Sequence, residues 1–276
     1  MMSNSPFCTS RVRTCLGRCV LGILVVWIGC AAFGQKLPDD HAADEPPHPW
    51  IASAPPAFAR LIDKGEVRIV TDDERLQASG KRALTLFYFH ADHQHRFQLT
   101  RVRPSPSDPS QTVGDIVAQI RSLRLATRHT IVLEQRFQPE NPWATALLHH
   151  EFDHVSISTD PRFLKIGKQL LQKPIRCSVT WANQDGLAAD AIDAAIKGEM
   201  SARISALERL VQTNYDALDR ESRDGQANLG ERFRFFEELY SMAWLRKCEF
   251  PYLDSIRVAA QDSANKEVLE HYLPVD

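Results

Sequence analysis

Two histidines four residues apart, with a glutamate directly after the first, are the residues of this chain best suited to do chemistry. They form His150-Glu151-Phe152-Asp153-His154, inside the stretch Leu147 to Val155. On a helix, positions i and i+4 share a face, so His150 and His154 can turn two imidazoles towards one ion. Neutral imidazole is a good zinc ligand, and a catalytic zinc takes three protein ligands and a water. Glu151 lies one position on, where its carboxylate can reach that water and take its proton. The expected centre is Zn2+ on His150 and His154, with Glu151 as general base and later proton donor. His149 and Asp153 form a second i, i+4 pair, able to make a salt bridge or to act as ligands of a different site.

A third ligand must come from elsewhere. The candidates are Asp224, Glu221, Asp219 and Asp216, all at or near the end of a long helical stretch. Asp224 is favoured because Gly225 follows it. A glycine there can adopt a left-handed conformation and turn the preceding side chain back towards the histidine pair. Glu221 is the alternative nearest to other H-E-x-x-H sites, which a helical glutamate completes.

These two patches also carry a resemblance. The H-E-x-x-H helix and the later segment Asp219-x-x-Ser222-x-Asp224-Gly225 resemble a family of predicted secreted zinc-dependent proteases of bacteria. In that family the helix is followed much later by Asp-x-x-Thr-x-His-Gly. Asp219 matches the Asp, Ser222 the Thr, Asp224 the His and Gly225 the Gly. The resemblance covers roughly Asn141 to Gly225. It implies a zincin-like fold, hydrolysis of a peptide bond, and a metal ligand at Asp224, where this chain departs from the family by carrying aspartate for histidine. It departs again at Asp153, since zinc peptidases of this motif usually have an uncharged residue before the second histidine.

The elements that must hold such a site come in two styles. Val67–Val70, Ala83–Phe89 and Arg96–Val102 alternate or run β-branched as strands do, with a hairpin loop expected at Ala91–Gln94. Arg103 to Gln111 contains three prolines and reads as a loop. Ile116–Leu125 fits helix or strand, and Thr130–Phe137 reads as a strand. Beyond it the pattern is helical. Asn141 is expected to cap a helix that starts at Pro142 and runs from Trp143 to Val155. Further helices are expected over Phe163–Leu171, Leu187 to about Glu221, and Leu229 to about Lys247. Strands first and helices later predict an α+β fold. The expected layout is a strand-rich part, then the active-site helix, then a long-helix C-terminal part.

The N-terminus reads as an export signal. Arg11, Arg13 and Arg18 precede the apolar run Cys19–Ile28, and Ala32-Phe33-Gly34 fits a cleavage site. The domains expected are a signal peptide over 1–34, a proline-rich acidic tether over 35–57, and one zincin-like domain over 58–276. Cleavage would leave Gln35 first and no membrane span. An uncleaved anchor, or a lipoprotein on Cys30, is the alternative. The place of action expected is periplasmic or secreted. Cys177 and Cys248 would then meet an oxidising compartment, where an intramolecular disulfide is expected.

A net charge of −2, with 25% charged and 43% hydrophobic residues, belongs to an ordinary globular chain and excludes an electrostatic case for nucleic acid. The partner expected is a protein or peptide substrate. Two rivals remain: a non-catalytic, decayed zincin-like binding module, and a metal-dependent hydrolase of a non-peptide amide. His90, His93 and His95 read as solvated loop residues. Tyr215 and Tyr240 could serve an oxyanion but fit core packing better. Phe233, Phe235, Phe236, Tyr240 and Trp244 read as helix packing.

Overall fold

A computed structural model describes residues 48–182, 189–227, 229 and 231–256. The segments expected as signal peptide and tether, as far as 47, and Leu187 lie outside the described residues. Chain order is α1 (Pro56–Asp63), β1 (Val67–Thr71), α2 (Asp73–Ser79), β2 (Ala83–Pro104), β3 (Gln111–Leu133), α3 (Ala146–Thr159), α4 (Pro161–Gln172), β4 (Ile175–Ala182), α5 (Ala189–Ser222), α6 (Arg232–Glu238) and α7 (Met242–Lys247). The fold is α+β, with one four-stranded sheet. No helix among the described residues is long and apolar enough to cross a membrane.

The chain forms two compact units. Asp92–Leu123 and Gln172–Met200 make the smaller; 48–91, Arg124–Leu171 and 201–256 make the larger. In the smaller unit the first part of β3 pairs antiparallel with β4, from Gln111 opposite Ala182 to Ala118 opposite Ile175. In the larger unit β1 runs parallel to the end of β3, from Val67 opposite His129 to Thr71 opposite Leu133. Parallel neighbours need a long crossover, and α2 and β2 lie within it.

Side chains on a strand alternate between faces, and the larger unit uses this to make two layers. Val67, Ile69, Ala83, Ile131 and Leu133 pack under Leu148, Phe152 and Val155 of α3. The alternate positions Val70, Leu84, Leu86, Tyr88 and Val132 meet Leu76 of α2 on the other side. Thr85 shares the parity of Ala83 and so faces α3. β2 ends the order β1-β3-β2 and is the sheet's edge in this unit.

Several boundaries differ from expectation, each for a local reason. Ala91–Gln94 is not a loop, because β2 continues through it for 22 residues. The turn falls at 105–110, where Ser105 N donates to Gln111 O. Ile116–Leu125 is strand, inside the 23 residues of β3. The active-site helix starts later than expected. Pro142–Ala144 is a 3-10 turn, Asn141 makes no side-chain cap, and Thr145 caps α3 by accepting from Leu148 N. Leu229–Lys247 is two helices, broken at Tyr240, whose φ is 62°. The tether ends earlier than 57, since Pro49–Ser53 forms a 3-10 turn and Trp50 packs on Trp143 at 5.2 Å between ring centroids. Cys177 and Cys248 are free thiols and not a disulfide: Cys177 lies in the smaller unit and Cys248 closes α7 in the larger.

Candidate metal centre

α3 brings the histidines together as its spacing requires. His150 and His154 Nε2 lie 3.1 Å apart. Asp219 on α5 joins them, its Oδ1 3.1 Å from His150 Nε2 and 2.9 Å from His154 Nε2. Two imidazole nitrogens and one carboxylate oxygen thus converge within 4.8 Å of one another. Donors held at about 2.0–2.2 Å from one ion in a tetrahedral arrangement stand roughly 3.3 Å apart. The three observed spacings fit such an ion after an expansion of a few tenths of an ångström.

Asp219, one of the alternatives, therefore takes the place expected for Asp224. α5 is helical through Ser222, so Tyr215, Asp219 and Ser222 occupy one stripe facing α3. Asp224 comes after the last turn. Arg223 and Asp224 are left-handed, with φ of 52° and 53°, as is Gly225 at 74°. The turn aims Asp224 outwards: its side chain is 59% exposed and lies 3.5 Å from Lys81 Nζ. Gly225 instead backs against the site, where a Cβ would stand 2.9 Å from His150 Cβ. Glu221 and Asp216 are exposed, and Asp216 accepts from Gln212.

The surrounding contacts set the state of each donor. Ser222 Oγ donates to Leu218 O at 2.8 Å, which uses its only proton. Its lone pair, 3.1 Å from His150 Nδ1, then accepts the Nδ1 proton of the neutral ring. In that tautomer, the one a metal needs, Nε2 carries a lone pair towards the cluster, whereas the protonated ring donates from Nε2 to Asp219. Burial works to lower the His150 pKa, but the Asp219 hydrogen bond and the Glu151 charge outweigh it and leave it raised. Burial works to raise Asp219, yet hydrogen bonds from His150, His154 and Lys81 hold it far below the usual carboxylate range. Lys81 Nζ lies 2.5 Å from Asp219 Oδ2. Burial opposes its charge, and Asp219 restores it with a net rise in pKa.

Glu151 is buried and accepts from Thr85 Oγ1 at 2.6 Å. It lines, with both histidines, Asp219 and Lys81, a cleft of about 500 Å³ along the β2 edge. The His154 ring lies 4.4 Å from that of Tyr215. Tyr215 donates to Ser158, which meets His129 Nε2 at 2.5 Å. Tyr240 donates to Ile157 O. Both phenols are committed to packing and neither serves the cleft as a donor. Burial holds the His129 pKa down at about 4. Its neutral Nδ1–H donates to Glu66 O, leaving Nε2 as an acceptor for Ser158.

The second histidine–aspartate pair is not a ligand pair. His149 Nε2 is bonded to Trp143 O at 2.5 Å. Asp153 forms an ion pair with Arg232 at the start of α6. This accounts for the charge inside the motif: it is paired with Arg232 and ties α6 to α3. His93, expected in a solvated loop, is buried on β2, with the His95 ring 5.6 Å away and His95 beside Asp193.

Lys81, Thr85 and the role of Ser222 were not found from sequence. Thr85 had one signal, its parity with Ala83 on the β2 face. Lys81 had none, because its contacts are with residues 138 positions away. Comparison with family models, with curated proteins and with solved structures finds no match to this chain.

Proposed function

We propose that this protein is a zincin-like, zinc-dependent peptidase exported from the cytoplasm, with His150, His154 and Asp219 as ligands and Glu151 as general base. One observation carries the reading: two imidazoles and a carboxylate converge from separate helices beside a buried, oriented glutamate. A bound zinc supplies a Lewis acid and brings the pKa of a bound water near neutrality.

The side chains do the rest. Thr85 holds Glu151 by one oxygen, leaving the other to receive a proton from the attacking water and return it to the departing amine. When His150 is neutral, Ser222 accepts its Nδ1 proton and leaves Nε2 free to face an ion. Lys81 places a positive charge on the cleft wall beside the donors, where negative charge would develop on the carbonyl oxygen. β2, last in the strand order among the described residues, is where an extended peptide would add as a strand.

The decisive measurement is metal content of the purified protein, then hydrolysis of a denatured protein substrate. Wild type should contain one zinc and cleave. Glu151→Gln should keep the zinc and lose activity by about 100-fold or more. A second reading is a binding module without metal. The ion pair between Lys81 and Asp219 favours it, since the aspartate already has a counter-charge. A protein that holds no zinc when loaded and dialysed would select that reading.

A further inference from the structure

One carboxylate in the cleft takes no part in the site just described. Glu208 lies on α5 eleven residues before Asp219 and lines the same cavity. It is 5% exposed, and its Oε2 has no hydrogen-bond partner among the described residues. The cations lining the cavity are Arg75, Lys81 and Arg82, of which Arg82 is exposed and acts on Glu134. Lys81 meets Asp219 and Asp224, and Arg75 meets Asp72. Arg209, next along the helix, is exposed. Burial raises the Glu208 pKa to about 7, and Arg209 offsets this only in part.

A buried acid without a partner is expensive, and the residues that face it offer no structural return. Thr85 and Phe87 of β2 line the cavity with it, on the face opposite to Leu84 and Leu86. A cavity that sets an aromatic ring and an unpartnered carboxylate in one wall is complementary to an alkyl chain ending in a cation. We propose that Glu208 is a specificity residue that binds a cationic nitrogen of the substrate, that of a lysine or arginine side chain or of the peptide's amino terminus.

Helical rise puts Glu208 about 16 Å from Asp219 along the axis. An extended peptide advances about 3.3 Å per residue. The bound nitrogen therefore belongs about four to five residues from the bond held at the metal group. Once the side chain turns Oε2, now sealed from solvent, into the cavity, salt bridging would also supply the hydrogen-bond donor it lacks. This inference rests on the peptidase reading for its ligand, although Glu208 can be tested without it.

The test has two arms on the full mature protein. The first uses n-butylguanidinium and n-butylammonium, with n-butanol as control, and reads the melting temperature. Either cation should raise it in wild type, while Glu208→Gln should show no response. The second uses zinc-loaded Glu151→Gln protein, which binds without turnover, and acetylated decapeptides with one lysine walked along an alanine-serine chain. One register should bind at least tenfold tighter than the lysine-free peptide. Adding Glu208→Gln should remove that preference and leave the lysine-free affinity within twofold. A preference only for unacetylated peptides would assign the nitrogen to the amino terminus. Equal responses to butylguanidinium and butanol, or a lysine preference that survives Glu208→Gln, would overturn the proposal. Failure of every peptide to bind, with the small cations still acting through Glu208, would count against the peptidase reading and not against this one.

Discussion

At the scale of single residues, the distinction that matters is between Asp219 and Asp224. Both lie near the end of one helix, and both contact Lys81. Only Asp219 sits on the stripe that faces α3. Asp219→Ala should lower zinc affinity by at least 100-fold, whereas Asp224→Ala should leave it within about threefold. The comparison rests on removal of one of three protein ligands against removal of none. Competition with a chelating dye would measure both, and equal losses would restore Asp224 as a ligand. The pair His150 and His154, with Glu151, was legible in the sequence because i, i+4 spacing is a property of the helix itself. The third donor was narrowed to four acids and then misplaced. The reason is physical: which of several acids near a helix end turns inward depends on where that helix stops. The two left-handed residues after Ser222 that stop it are Arg223 and Asp224, and neither is a glycine.

At the scale of elements, long-range contacts decided what local pattern left open. Residues 91–94 carry turn-like polarity, yet β2 runs on, with Thr100 Oγ1 bonded to Asp115 O across the neighbouring strand. The strand β4, over Ile175–Ala182, passed unnoticed among helices because its pairing partner lies some sixty residues earlier. α3 was placed correctly but begins four residues late, since Pro142 starts a 3-10 turn instead. Asp153 tests the role of such contacts. Its side chain is 11% exposed and that of Arg232 28%. Removing one partner from a buried pair commonly costs about 3–5 kcal/mol. Arg232→Met should therefore destabilise the protein by roughly 3 kcal/mol, at the lower end because Arg232 is partly exposed. Asp153→Asn with Arg232→Met should recover a good part of that loss. Urea unfolding of the single and double variants would show it; additive losses would mean that the two side chains act independently.

At the scale of the whole molecule, two buried groups pull its pH dependence in opposite directions. Glu208 has a folded pKa of about 7 against 4.5 for the free group. Its protonated form favours the fold, so its contribution is intact below pH 4.5 and is lost as pH rises to 7. His129 has a folded pKa of about 4 against 6.5. Its neutral form favours the fold, so its contribution is intact above pH 6.5 and is lost as pH falls to 4. Over the shared window the two nearly cancel. Glu208→Gln should remove the opposing contribution of the glutamate, so that stability climbs more between pH 4.5 and 6.5 than in wild type. At pH 8 the variant should exceed wild type by on the order of 2–3 kcal/mol, since each tenfold change in proton affinity on folding is worth about 1.36 kcal/mol. Chemical denaturation across that range would test it, and parallel curves for the two proteins would refute it.

The turn at Gly225 has a consequence for rates. Gly225 beside its Cβ and Ser222 on its Nδ1 hold the His150 ring on the side that faces Asp219. The donors wait already assembled. Capture of an ion then needs only an expansion of a few tenths of an ångström, so the association rate should approach that of simple encounter, and differences in affinity among variants should appear in release. Gly225→Ala would give His150 a second resting position. Its uptake of zinc, followed by stopped flow, should become slower and biphasic while wild type stays single-exponential. Uptake that is slow in both would mean that the assembled cluster has to open before it can be filled.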